Sequence, residues 1–226
     1  VAQPSVLQQV YCTDEDLAVR ALGDYPTLCP EWQKLAYGTD GVLAAGSPWV
    51  LSSASNAFAS LGVGSNNVVQ LTAPKSSFKG AGELFAVDSA LGNTITLRRL
   101  NQALNAGLPP GGGIGLTGVE FKVKTFYAQI DNACFDANRF FGIDPNNATN
   151  TPAALYDTRE LRQFCVLTVL QRLYAEQVRT DTGDFKLKLA QVSADLKELK
   201  ASLTIRWGDM GESQLGRGIF GGRVRR

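Results

Sequence analysis

Histidine is missing altogether from this 226-residue chain. That absence removes the Ser-His-Asp and Cys-His nucleophile systems and every metal site that needs an imidazole. Cysteine is scarce. Cys12, Cys29, Cys134 and Cys165 lie far apart and form no CxxC pair, so buried free thiols are expected rather than a disulfide or a zinc site. No apolar run approaches the length that spans a bilayer, and residues 1–10 lack the basic start and apolar centre of a signal peptide. A soluble product made in the cytoplasm, with no membrane partner, is therefore expected. An excess of one charge sign is missing too. The 22 Lys and Arg balance 21 Asp and Glu to a net charge of +1, which argues against nonspecific affinity of the whole molecule for nucleic acid.

The motifs that remain have plain explanations. Gly113-Ile114-Gly115-Leu116-Thr117-Gly118 fits GxGxxG, but a dinucleotide site needs a strand before it and a helix after it. Here a Pro-Gly loop precedes and a strand-like run follows. Asp14 to Asp16, and Asp181 with Asp184, lack the ligand count of a Ca²⁺ loop and read as helix caps. Asn147-Ala148-Thr149 is formally a glycosylation acceptor, which matters only for a secreted chain. No catalytic residue, cofactor or metal is assigned, and an enzyme is not expected.

The strongest pattern present is a helical hairpin over residues 155–206. In its second half Phe185, Leu189, Val192, Leu196, Leu199 and Leu203 fall at alternating spacings of four and three, which aligns them on one helical stripe. They form the predicted hairpin core. The first half, residues 161–178, is apolar nearly all round and needs cover on more than one side. The joint Thr180-Asp181-Thr182-Gly183-Asp184 supplies a turn glycine and an N-cap.

Upstream, Thr13-Asp14-Glu15-Asp16 reads as a helix entry with Thr13 as N-cap and acids in the first turn, where the helix dipole favours them. Residues 31–37 suggest a second helix. From Asp40 the period changes to short β-like runs. These are Val42-Leu43, Trp49-Val50-Leu51, Val68-Val69-Gln70-Leu71, Leu84-Phe85-Ala86-Val87, Thr94-Ile95-Thr96-Leu97 and Val119-Glu120-Phe121-Lys122-Val123, divided by Gly, Asn, Ser and Pro clusters. In the last run Val119, Phe121 and Val123 point inward, with Glu120, Lys122 and Lys124 outward. A small antiparallel barrel is expected, with a Pro-Gly loop at residues 101–118.

Residues 126–141 return to helical spacing. The expected fold class is thus α+β, a helical bundle with a long antiparallel C-terminal hairpin and an inserted small antiparallel β-barrel. Its parts are N-terminal helices (1–39), the inserted barrel (40–125), the helical domain with the hairpin (126–206) and a C-terminal docking arm (207–226). The arm combines Arg217, Arg223, Arg225 and Arg226 with apolar Ile219, Phe220 and Val224 and has no helical period. It suits a segment that orders on a partner surface.

A layout of this kind resembles the head-to-tail adaptor, or connector, proteins of tailed bacteriophages. The likeness rests on the acidic entry Thr13-Asp14-Glu15-Asp16-Leu17 and on the helix Ile130-Asp131-Asn132-Ala133-Cys134-Phe135-Asp136-Ala137-Asn138-Arg139-Phe140-Phe141-Gly142. It rests also on Leu170-Gln171-Arg172-Leu173-Tyr174, on the run 185–203 and on the loose arginine-bearing end. It covers about half of the chain and no part of the barrel. The resemblance implies a structural virion protein, assembled in the host cytoplasm into a homo-oligomeric, dodecameric ring in the phage neck. Such a ring joins the portal protein to the stopper or tail protein, and DNA passes transiently through its channel during genome ejection. Arg217, Arg223, Arg225 and Arg226 would then pair with portal carboxylates, while Ile219, Phe220 and Val224 anchor the arm.

Two other readings are carried forward. One is a stopper or tail-completion protein, a class that also uses small barrels and rings. The other is a nucleic-acid-binding barrel using Lys75, Lys79, Arg98 and Arg99. That reading needs exposed aromatics for base stacking, and Trp49, Phe78 and Phe85 suit core packing better.

Overall fold

The computed structural model describes residues 10–46, 48–73, 83–101, 115–144, 146, 151–155, 157–180, 184–203, 205 and 207. The chain divides into two compact units, residues 13–127 and residues 1–12 with 128–226.

The first unit opens with α1 (Asp14–Arg20), whose entry is a reciprocal capping box. The Thr13 hydroxyl accepts from the Asp16 N–H at 3.3 Å, and the Asp16 carboxylate accepts from the Thr13 N–H at 2.9 Å. Two otherwise unpaired helix-end donors are satisfied in this way. A single turn, α2 (Tyr25–Leu28), and a 3-10 turn at Glu31–Gln33 lead into the strands. These are β1 (Lys34–Leu43), β2 (Trp49–Ser52), β3 (Val68–Ala73), β4 (Leu84–Leu91), β5 (Thr94–Arg99) and β6 (Leu116–Lys124). They close into a barrel in the order β1-β2-β5-β4-β3-β6, and every pairing is antiparallel.

Period-two alternation fills the barrel. Leu51, Val69, Leu71, Phe85, Ile95, Leu97 and Phe121 are all buried in one interior cluster, with Trp49 against Phe85 and Phe58 against Phe121. The β1–β6 seam needs glycine for steric reasons. A Cβ at Gly41 would lie 2.6 Å from the Val119 carbonyl oxygen, and one at Gly38 would lie 2.7 Å from the Phe121 ring. The register shifts at these two positions, so the strand bends around the Phe121 ring.

The second unit contains residues 10–12, α3 (Tyr127–Phe141) from its second residue onward, α4 (Arg159–Thr180) and α5 (Phe185–Ser202). α3 ends in a Schellman motif. Gly142 takes φ +67°, and the Ile143 N–H donates to the Asn138 carbonyl at 2.8 Å. α4 is buried on most of its circumference, through Leu161, Phe164, Cys165, Leu167, Val169, Leu170, Leu173 and Tyr174. α5 lies against it, with Gln171 Nε2 donating to Ser193 Oγ at 3.0 Å. Among the described residues no helix is long and apolar enough to cross a membrane.

Several expectations are corrected. The chain is not a helical bundle carrying a long antiparallel C-terminal hairpin and a small inserted barrel. Among the described residues it is a mixed α/β protein with a closed six-stranded antiparallel barrel and five α-helices, and a long C-terminal hairpin is not evident. The expected joint at residues 181–183 lies outside the described residues, and the physical reason for the correction is in α5. The stripe along α5 is only partly covered: Val192 and Leu196 are buried, Phe185, Leu189, Leu199 and Leu203 are half-exposed, and Leu203 is an extended cap beyond the helix.

The barrel unit lies in sequence between the two pieces of the helical unit, and it begins earlier than residue 40. Residues 13–39, expected with the helices, cluster with the strands. The expected helix over 31–37 is a 3-10 turn followed by strand, because β6 pairs with Lys34, Ala36 and Tyr37. Lys124, expected to face outward, is buried. Its Nζ donates to the Pro26 and Cys29 carbonyls at 2.9 and 3.2 Å, with Glu31 at 3.6 Å.

Candidate functional site

The arm residues Arg217, Ile219, Phe220, Arg223, Val224, Arg225 and Arg226 lie outside the described residues. So do Lys75, Lys79 and Phe78. The remaining candidates for nucleic-acid contact are already engaged in folding. Trp49 and Phe85 sit in the barrel interior. Arg98 is held in an ion pair with Glu15, and its side chain is 14% exposed. Arg99 is half-buried.

Three polar clusters in the barrel unit are structural by their geometry. Asp14 is buried, and its carboxylate accepts from the Phe126 N–H at 2.7 Å and from Asn67 Nδ2 at 2.8 Å. Burial pushes its pKa up to about 6 in spite of those hydrogen bonds. Glu15 accepts from Arg98 and from the Asn101 N–H at 2.7 Å, tying α1 to the end of β5. Asp40 accepts from the Ser53 hydroxyl and from the Ser55 hydroxyl and N–H. Partial desolvation opposes ionisation there, but the three donors outweigh it and hold the carboxyl below its ordinary range. These acids anchor the segments that close the barrel. The sequence pattern around Asp14 and Glu15 implies helix-cap chemistry alone.

One open concavity lies in the helical unit. A groove of about 460 Å³ runs between α3, α4 and α5, lined by Asp136, Arg139 and Phe140 of α3, Phe164, Thr168, Gln171 and Arg172 of α4, and Leu196 and Lys200 of α5. Its floor is aromatic. The Phe140 and Phe164 rings stack at 5.9 Å with Phe141 edge-on to both, and Phe140 remains 40% exposed. Its rim is cationic. Lys200 Nζ stands 5.5 Å from the Phe140 ring centre and 5.6 Å from that of Phe164, an arrangement favoured by the ring quadrupole. Arg172 pairs with Asp136 across α3 and α4. Arg139, Arg172 and Lys200 thus face a single carboxylate, so the groove carries a net positive charge.

One buried polar atom in the groove wall has no hydrogen-bond partner, the Thr168 hydroxyl. An unpaired buried hydroxyl costs about 1–3 kcal/mol. Of the predicted hairpin core, only Leu196 lines this site. The other groove residues escaped sequence reasoning because they come from three helices. The pattern that could have found them is Arg139-Phe140-Phe141, a cation beside two aromatics at the end of a helix.

Comparison with known protein families, with curated proteins and with solved structures returns no match.

Proposed function

We propose that this chain is a structural protein of the tailed-bacteriophage neck, a connector subunit that assembles into a ring. The ring joins the portal protein to the stopper or tail protein and leaves a channel for DNA. The reading starts from the resemblance carried by residues 130–142, 170–174 and 185–203. The observation that supports it best is the groove over those same segments, with its aromatic floor and cationic rim. Such a surface suits an apolar, acidic segment of a neighbouring subunit, which would cover Phe140 and neutralise Arg139 and Lys200. Exposed Phe135 and Leu187, 56% and 75% accessible, widen the apolar area of the helical unit.

The test is charge reversal at Arg139 and Lys200 together, by R139E and K200E. The variant is expected to keep its helical circular dichroism and to lose ring formation or binding to purified portal. Unchanged assembly would remove the groove from the interface and with it the main support for the reading.

The closed barrel favours a second reading, a stopper or tail-completion protein. Crosslinking to portal separates the two: contacts through the helical unit fit a connector, and contacts through Trp32 or Leu91 of the barrel unit, 78% and 81% exposed, fit a stopper.

A further inference from the structure

Cysteines 12, 134 and 165 are remote from one another in sequence, yet their sulfurs all lie within 4.8 Å of one another. They come from the segment before α1, from the middle of α3 and from the first turns of α4, and all three belong to the helical unit. Each is fully buried. Cys29, the fourth cysteine, is buried in the barrel unit and takes no part.

A lone buried cysteine serves as a small apolar side chain. Three sulfurs converging from three segments form a donor set of one kind, and thiolate is the ligand of soft cations such as Cu(I) and Zn(II). The spacing is close to what a bound ion needs. With metal–sulfur bonds of about 2.3 Å, ligand sulfurs sit about 3.8–4.0 Å apart, so the trio has under about 1 Å to close.

One backbone donor favours a negative sulfur there: the Tyr11 N–H donates to Cys134 Sγ at 3.4 Å. The Cys165 thiol donates to the Ala133 carbonyl at 3.7 Å, a bond it gives up on binding an ion. Beside Cys134 the Tyr11 hydroxyl donates to Asn138 Oδ1 at 2.6 Å.

We propose that Cys12, Cys134 and Cys165 form a binding site for a single thiophilic d¹⁰ cation, with three-coordinate Cu(I) the ion that the all-sulfur donor set favours. Zn(II) in a structural site takes four ligands, and the cluster offers three among the described residues. Each sulfur–metal bond replaces an S–H bond and releases one proton to solvent, and the oxidation state of the metal does not change. The bound ion would fasten residues 11 and 12 to α3 and α4, so metal affinity adds directly to the stability of the helical unit.

The test uses the full chain, reduced and kept free of oxygen, dialysed separately against Cu(I) and Zn(II) in competition with a chromophoric chelator. One equivalent of either ion is expected to stay with the protein, giving thiolate charge-transfer absorption with Cu(I). Cys134→Ala should lose that equivalent, and Cys29→Ala should keep it. Because Cys134→Ala disturbs a packed core, alkylation of the unmutated chain supplies a second readout. Ion at about ten times its dissociation constant should slow modification of Cys12, Cys134 and Cys165 together by about tenfold, with Cys29 unchanged. No retained equivalent of either ion, retention by Cys134→Ala equal to the parent, or no joint protection of the three thiols would overturn the proposal.

Discussion

Glu15 on α1 and Arg98 on β5 meet as a two-point ion pair, with 11% and 14% of their side chains exposed. The Asn101 N–H also donates to Glu15, and Asn66 Oδ1 accepts from Arg98 at 3.2 Å. The first helix is thereby fixed to the barrel wall through charge rather than through an apolar face alone.

Removing one partner of such a pair leaves a buried, uncompensated charge. Arg98→Met or Glu15→Met alone is expected to destabilise the barrel by about 3–5 kcal/mol. Replacing both residues, as Glu15→Met with Arg98→Met, should cost less than the sum of the single changes. Urea unfolding of the four proteins closes the cycle. Additive losses would mean that the pair is not coupled.

Asp14 gives a pH dependence of defined sign. Its carboxyl titrates near 6 when folded and near 3.8 when unfolded. Between those values the folded state holds the proton more tightly, so this group stabilises fully below about pH 4, and that contribution is lost as pH rises through about 6. A gap of this size corresponds to about 3 kcal/mol. Asp14→Asn is expected to lower stability through a lost acceptor and to abolish this part of the slope. Subtracting the two stability–pH curves isolates it from other carboxyls.

The β1–β6 seam allows a steric test. Gly41→Ala pushes a methyl group against the Val119 carbonyl, with Leu51 and Phe121 behind it. A loss of about 1–3 kcal/mol is expected, as for other overpacked sites. Gly23→Ala, where the added methyl meets nothing within 4 Å, serves as the control and should be neutral or slightly stabilising. Thermal melts distinguish the two.

What the sequence makes legible follows from how local each signal is. The runs at Val68, Leu84, Thr94 and Val119 lie within strands, because short apolar or alternating runs bounded by turn residues are read within a few positions. Thr13 caps its helix as its neighbours imply. Residues 31–37 mislead because their local pattern is ambiguous and pairing with β6 decides it. Lys124 and Glu15 are hidden for a related reason. Burial of a charge becomes sensible only when Pro26, Cys29 or Arg98 supplies the partner. The groove and the cysteine trio are farther from view, since each is assembled from segments with no common spacing.

The C-terminal arm carries a prediction from its composition. Deleting residues 216–226 removes Arg217, Ile219, Phe220, Arg223, Val224, Arg225 and Arg226 and no described residue. The shortened chain is expected to stay folded and to lose affinity for portal. Co-sedimentation with purified portal measures this, and equal binding would assign the docking role elsewhere.

Negative-stain imaging of the purified full chain, alone and mixed with portal protein, tests the connector reading most directly. The account expects closed rings with a central channel, stacked coaxially on the portal. A chain that stays monomeric in both samples and leaves the portal bare would contradict it.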